Sequence, residues 1–103
     1  MTGVLLFAYG TLQDPAIQIE HLGRLLTGRP DRLDGFIRAT LTDGGAVYPV
    51  LVPGGAAPST VDGVVFEITE ADLAAADAYE GDLYRRIRVH LISGTEAWVY
   101  IGA

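Results

Sequence analysis

Hydrophobic side chains recur at helical spacing in two segments of the chain. After Asp14-Pro15, a pair that suits the start of a helix, they recur as far as Gly28 and predict a first helix over residues 15–27. An alanine-rich stretch with high helix propensity follows Thr69 and predicts a second, short helix from residue 71 to about Tyr79. The remaining hydrophobic pattern is typical of strands.

Short apolar runs or alternating polar and apolar residues predict six strands. They are Gly3–Tyr9, Arg32–Leu41 with a bend at Gly35, Val47–Val52, Val61–Ile68, Tyr84–Ile92 and Ala97–Ile101. The last two form a predicted hairpin, and Pro49 in the third favours an edge strand or a bulge. Six short strands bent at glycine and proline favour a curled or closed mixed sheet. The predicted fold is therefore α+β, a small mixed six-stranded β-barrel flanked by two helices.

Composition limits the class of protein. The chain has 103 residues, 50% of them hydrophobic, which predicts one domain over residues 1–103. Seven basic residues against thirteen acidic ones give a net charge of −6, which argues against nucleic-acid binding. The absence of cysteine excludes disulfides and thiolate chemistry. No apolar run is long enough to span a membrane and the start lacks a basic leader, so we expect a cytoplasmic protein without a membrane partner.

The segment Tyr9-Gly10-Thr11-Leu12 follows the first predicted strand and is a candidate binding loop. A strand that ends in Gly-Thr next to a helix exposes backbone N–H groups, and these can bind an anion or a developing oxyanion. The simpler interpretation of such a tetrapeptide is a tight turn. The sequence alone leaves both interpretations open.

Glu80 is the candidate titrating residue. It lies between Tyr79 and Gly81, with Leu83 and Tyr84 close behind, so its carboxyl can be shielded from water and its pKa raised. The alternative is an ordinary exposed carboxylate in a turn.

Other ionisable residues give weaker signals. Asp77 can place a second carboxylate beside Glu80 or face solvent, and Glu67 can form a dyad with Glu80 or pair at the surface. The arginine cluster of Arg85, Arg86 and Arg88 can hold a substrate carboxylate or neutralise nearby acids. The two histidines lack metal-site spacing and the glycines lack nucleotide-binding spacing, so we predict neither a metal nor a cofactor.

Six segments, taken together and in this order, resemble the γ-glutamylcyclotransferase-like family, which includes AIG2-like proteins and γ-glutamylamine cyclotransferases. They are FAYGTL at 7–12, LLTG at 25–28, YPVLVP at 48–53, VDGVVFEI at 61–68, DAYEGDLYRRIRV at 77–89 and AWVYIG at 97–102. The resemblance spans nearly the whole chain. It implies a mixed β-barrel in which the early loop and a late acidic residue face one pocket.

The resemblance also implies roles for individual residues. Glu80 matches the family's proton acceptor, and Tyr9, Gly10, Thr11 and Leu12 match the loop that binds the γ-glutamyl group. Tyr84 and Tyr100 match aromatic positions near the pocket. The sequence departs from the family pattern in two places. The chain ends directly after the last strand, and the loop between Gly81 and Tyr84 is short. Either departure can change the wall of the pocket and so the identity of the substrate.

The leading hypothesis is a γ-glutamyl cyclotransferase that releases 5-oxoproline and a free amine or amino acid, with Glu80 as general acid and base. Its partner is a small γ-glutamyl substrate. One alternative is a member that binds a small metabolite without catalysis. Another is an interaction protein that uses exposed apolar surface such as Trp98.

Overall fold

A computed structural model describes residues 3–54 and 59–102. These residues form seven strands, two α-helices and two short 3₁₀ helices, in an α+β arrangement. In chain order the elements are β1 Val4–Ala8, a 3₁₀ helix Thr11–Gln13, α1 Pro15–Leu22, β2 Gly28–Asp34, β3 Phe36–Asp43, β4 Ala46–Pro53, β5 Thr60–Ile68, α2 Glu70–Glu80, a 3₁₀ helix Gly81–Leu83, β6 Tyr84–His90 and β7 Glu96–Gly102.

Five strands form one mixed sheet in the order β2-β5-β1-β7-β6. The β1–β7 pair is parallel and the other pairs are antiparallel. The hairpin β3–β4 forms a separate two-stranded sheet, so among the described strands β4 pairs only with β3, in agreement with the edge position expected from Pro49.

The predicted closed barrel of six strands needs two corrections. Gly35, with φ of 84°, divides the predicted second strand into β2 and β3, and these pair with β5 and β4 respectively. The count is therefore seven strands. Over the residues that the structure describes, β2 and β6 are the edge strands of the large sheet and no ladder joins them. A single backbone bond, from the Ile92 N–H just after β6 to the Arg32 carbonyl of β2 at 2.8 Å, links the two edges, so the ladders do not close the sheet into a barrel.

Both helices begin at side-chain caps. The Asp14 carboxylate accepts a 2.9 Å hydrogen bond from the Ala16 N–H at the start of α1, and Thr69 forms a capping box at the start of α2. The first helix ends at Leu22, earlier than the predicted residue 27, because Gly23 adopts φ of 80° and its N–H bonds to the Ile19 carbonyl. Neither helix is long and apolar enough to cross a membrane in the described part of the chain.

Apolar side chains pack on both faces of the large sheet. Alternate residues of β1 divide between two clusters, with Phe7 facing the β3–β4 side and Leu6 facing the helices. Beyond the end of β1, Tyr9 belongs to the first cluster and Leu12 to the second. The chain therefore passes between the two faces at residues 9–12, and this crossing positions the candidate site.

Candidate active site at the end of strand β1

A cavity of about 260 Å³ opens where β1 ends. Its lining includes all seven residues to which the resemblance assigns binding, proton transfer or a place near the pocket: Tyr9, Gly10, Thr11, Leu12, Glu80, Tyr84 and Tyr100. Residues from β1, from the following loop, from the end of α2 and from β6 and β7 thus meet at one place. Their roles in chemistry stay predictions.

Glu80 is the last residue of α2, and its side chain is partly buried. Burial raises the pKa of Glu80 from its ordinary value of 4.5 to about 7, because a desolvated carboxylate is costly. None of the described residues donates a hydrogen bond to this carboxyl group. The structure therefore favours a shielded carboxyl over an exposed one, and near neutral pH this carboxyl exchanges readily between its two protonation states.

Three tyrosines of the cavity have their hydroxyl protons already engaged. The Tyr9 hydroxyl donates to the Tyr100 carbonyl at 2.7 Å, and the Tyr84 hydroxyl donates to the Pro49 carbonyl at 2.7 Å. The Tyr100 hydroxyl donates to Asp77 Oδ1 at 2.7 Å. Since each hydroxyl has one proton to donate, none of these three can donate to a ligand without breaking an existing bond.

The same three tyrosines stay protonated beside Glu80. Burial raises the pKa of Tyr9, of Tyr84 and of Tyr100, and the negative charge of ionised Glu80 raises each pKa further. The rings therefore form a neutral, largely apolar wall. Such a wall keeps water away from Glu80 and supports its high pKa.

The loop after β1 presents backbone donors. Its Gly10 carbonyl accepts hydrogen bonds from both the backbone N–H (3.1 Å) and the side-chain amide (3.3 Å) of Gln13, and the Thr11 carbonyl accepts from the Asp14 N–H at 2.9 Å. The N–H groups of Gly10, Thr11 and Leu12 find no acceptor among residues 3–54 and 59–102. These donors are available to an anionic ligand. The loop is thus a tight turn that also keeps free donors, which joins the two interpretations left open by the sequence.

Asp77 supports the cavity wall from outside the cavity. Arg86 donates to both of its carboxylate oxygens, at 2.7 Å from Nε and 2.9 Å from Nη2. These hydrogen bonds, together with the one from Tyr100, hold the pKa of Asp77 below its usual range despite partial burial. Arg86 therefore neutralises an acid of the protein, the second of the two roles considered for the arginine cluster.

Two aromatic residues of the lining were missed by the sequence analysis. Tyr48 and its neighbour Pro49 form part of the wall, although the pattern gave them no chemical role. Tyr79 lines the cavity too, and its hydroxyl lies 2.5 Å from Thr11 Oγ1. The only available signal was the density of tyrosine in the same segments that carry the family motifs.

Several other candidates lie outside the cavity. Glu67 is exposed on β5 opposite Leu5 and does not line the cavity, so it forms no dyad with Glu80 there. Trp98 is partly buried, because the guanidinium groups of Arg86 and Arg88 lie over its ring at 4.4 and 5.0 Å. The exposed apolar surface expected at Trp98 is therefore covered in part.

Known structures share this fold. Two solution structures from Arabidopsis thaliana, of At3g28950.1 and At5g39720.1, match with TM-scores of 0.83 and 0.82 and identities of 26% and 28%. Each match covers 99% of this chain, which spans 63% of the first protein and 70% of the second. A structure described as a gamma-glutamyl cyclotransferase matches at 20% identity and a TM-score of 0.78, over 98% of this chain and 67% of that one. The likeness to this last structure shows the fold alone.

Sequence comparison gives the family. No curated protein matches the chain. A family profile described as gamma-glutamyl cyclotransferase, AIG2-like, matches residues 6–103, a range that includes all seven site residues predicted from the sequence. The chain therefore belongs to the AIG2-like gamma-glutamyl cyclotransferase family.

Proposed function

We propose that the protein is a γ-glutamyl cyclotransferase acting on small γ-glutamyl compounds. The substrate's own α-amine attacks its γ-carbonyl carbon and forms the five-membered ring. The bond from that carbon to the leaving nitrogen then breaks, which gives 5-oxoproline and a free amine. The proton lost by the attacking amine passes to Glu80 and from there to the leaving nitrogen, so the carboxylate is regenerated.

The shielded carboxyl of Glu80 is the observation that carries this proposal. An amine of reference pKa about 7.7–8.0 transfers its proton poorly to a glutamate with the ordinary pKa of 4.5. Burial raises the pKa of Glu80 to about 7, which removes most of that difference. The same group, once protonated, is acidic enough to protonate the departing nitrogen near neutral pH.

The loop at residues 10–12 supplies the second part of the proposal. Its three unengaged N–H groups suit the substrate's α-carboxylate, whose two oxygens together accept several hydrogen bonds. A fixed carboxylate places the neighbouring α-amine near the γ-carbonyl. Since both reacting groups belong to one molecule, holding them in such a geometry can supply much of the roughly 7–11 kcal/mol available from positioning.

The cavity wall bears on the leaving group. Within the described part of the chain, the side chains that line the cavity include neither arginine nor lysine. A second carboxylate on the leaving amine therefore lacks a cationic partner there and is desolvated without compensation. Within the proposed function, we expect faster turnover of γ-glutamylamines than of γ-glutamyl amino acids.

A matched pair of substrates tests the proposal. The γ-glutamyl amides of propylamine and of 2-aminobutyric acid differ by one carboxylate, and 5-oxoproline formation is measured for both. We expect product from the propylamide, and loss of that product in Glu80→Gln by about 10²–10⁴-fold. Equal turnover by Glu80→Gln would remove Glu80 from the mechanism. Binding of these compounds with no product in the wild type would identify a metabolite-binding protein, the alternative carried from the sequence.

A further inference from the structure

Arg38 contacts the candidate binding loop from outside the cavity. It lies on β3, and its guanidinium group donates from Nη1 to the Tyr9 carbonyl at 3.1 Å and from Nη2 to the Asp62 carbonyl at 3.1 Å. The same group lies 5.8 Å from the centre of the Tyr9 ring. Arg38 does not line the cavity. Its hydrogen bond to the loop is made to the backbone carbonyl of Tyr9.

The bond to Tyr9 fixes the direction of the next N–H group. In a planar trans peptide, the carbonyl of one residue and the N–H of the following residue point in opposite directions. The Tyr9 carbonyl faces Arg38, so the Gly10 N–H points away from Arg38. Because Tyr9 and Gly10 both line the cavity and Arg38 does not, this orientation directs the Gly10 N–H to the cavity side.

No acid among residues 3–54 and 59–102 neutralises the charge of Arg38. The ion pairs found among the described residues leave Arg38 without a carboxylate partner, and the Asp62 carboxylate lies nearer to Arg32, at 3.9 Å. A cation bonded to a carbonyl polarises the peptide and makes its N–H a stronger donor. An anion in the cavity therefore gains from a positive charge that the lining itself does not contain.

We propose that Arg38 is a positioning residue that orients and strengthens the Gly10 N–H as a donor to the carboxylate of a ligand in the cavity. This inference rests on the proposed function only in naming the substrate's α-carboxylate as that ligand group. It assigns to the hairpin β3–β4 a part in ligand binding. Asp62, bonded through the second arm of the same guanidinium, keeps the group in place.

Steady-state kinetics with the γ-glutamyl propylamide give the first test. Since the bond acts on the bound substrate and the transition state alike, Arg38→Gln should raise KM by about tenfold and leave kcat within about twofold. Arg38→Lys keeps the charge but reaches only one carbonyl, so its KM should lie between those of the wild type and Arg38→Gln. Arg29→Gln is the matched control, because it removes the same charge from an arginine that donates to Thr95 and lies outside the cavity lining. A fall in kcat with unchanged KM would overturn the proposal.

A binding measurement tests the proposal even if no substrate is turned over. Amide ¹H–¹⁵N spectra are recorded while 5-oxoproline, a small carboxylate, is added to the wild type and to each variant. We expect the Gly10 signal to shift in the wild type, and to need about tenfold more 5-oxoproline in Arg38→Gln but not in Arg29→Gln. Equal titrations of the wild type and Arg38→Gln, or no response of Gly10 in the wild type, would overturn the role of Arg38. Absence of 5-oxoproline production by the wild type would instead overturn the proposed function.

Discussion

The hydroxyl of Tyr100 donates a 2.7 Å hydrogen bond to Asp77, one helical turn before Glu80 in α2. Asp77 also accepts two bonds from Arg86. A ring of the cavity wall, on β7, is therefore fixed to the helix that carries the titrating carboxyl. The Asp77–Arg86 pair carries no net charge, which lets burial alone set the pKa of Glu80.

Breaking this pair should shift the pKa of Glu80 in a direction that depends on which partner is removed. Asp77→Asn leaves the positive charge of Arg86 uncompensated and should lower the pKa of Glu80 below about 7. Arg86→Gln leaves the negative charge of Asp77 uncompensated one turn away and should raise it. A pH titration followed by the ¹³C chemical shift of the Glu80 carboxyl carbon measures the pKa of Glu80 in both variants.

The remaining groups that face Glu80 do not obscure this comparison. Among the described residues of the lining, Tyr9, Tyr84 and Tyr100 come from other elements and stay neutral through the relevant range, because burial raises the pKa of each. The double variant Asp77→Asn with Arg86→Gln is the control, and its Glu80 pKa should return toward the wild-type value. Shifts of the same sign in both single variants would show that the pair acts through packing rather than charge.

The Tyr100–Asp77 bond should also contribute to stability. Tyr100→Phe removes the hydroxyl that donates to an ionised acceptor, and we expect a loss of about 1–2 kcal/mol in the free energy of unfolding. In Asp77→Asn, the further loss on adding Tyr100→Phe should be smaller, because the charged acceptor is already gone. Urea unfolding of the four proteins in this cycle measures the coupling energy. A coupling energy of zero would mean that the bond contributes nothing to the stability of the folded state.

Stability should depend on pH through Glu80. The folded pKa of about 7 lies above the ordinary value of 4.5, so the folded state holds a proton that the unfolded chain releases between these values. The contribution of protonated Glu80 to the free energy of unfolding is therefore fully present below about pH 4.5. It is lost as the pH rises through about 7, and the loss amounts to up to about 3 kcal/mol.

Glu80→Gln isolates this contribution. The amide is neutral at every pH, so the variant should match the wild type near pH 4 and exceed its free energy of unfolding by up to about 3 kcal/mol at pH 8. Other acids, such as Asp77, titrate alike in both proteins and cancel in the difference. A difference that does not change with pH would show that Glu80 is solvated in the folded state.

The site was more predictable from the sequence than the sheet was. The order of the six motifs predicted that Tyr9 and Glu80 face one pocket, because motifs that occur together in a fixed order are typical of one fold. The division of the predicted second strand at Gly35 was harder to predict, since a glycine inside an alternating pattern is as typical of a bulge as of the end of a strand. Only the pairing of β2 with β5 and of β3 with β4 distinguishes the two.

The end of the first helix shows a second limit. Leu25 and Leu26 continue the helical spacing, yet the helix ends at Leu22. Gly23 was the local signal, but a glycine stops a helix only where the chain turns to a left-handed conformation. Beyond the helix, the buried Gln18 side chain accepts from the Leu26 N–H at 3.0 Å, a tertiary contact that no periodic pattern encodes.

Two glycines near the end of β1, Gly10 in the following loop and Gly63 on the paired strand β5, should differ in how substitution by alanine changes stability. A Cβ at Gly10 would lie 3.5 Å from Pro49 Cγ, an ordinary contact, whereas a Cβ at Gly63 would lie 2.5 Å from the Ala8 carbonyl oxygen. Gly63→Ala should therefore reduce the free energy of unfolding by about 3 kcal/mol, because the backbone of β1 must move. Gly10→Ala should change it by less than about 1 kcal/mol.

For substrate binding we expect the reverse: Gly10→Ala should have the larger effect and Gly63→Ala the smaller one. The methyl group of Gly10→Ala would project beside Pro49, a residue of the cavity lining, and so take up ligand space. We expect its KM for a γ-glutamyl substrate to rise by about tenfold, while folded Gly63→Ala keeps a wild-type KM at a temperature well below its midpoint. Thermal unfolding and steady-state kinetics on the same preparations measure both quantities. If Gly10→Ala binds substrate as the wild type does, the loop at residues 10–12 does not contact the γ-glutamyl group, and the carboxylate must be held elsewhere in the cavity.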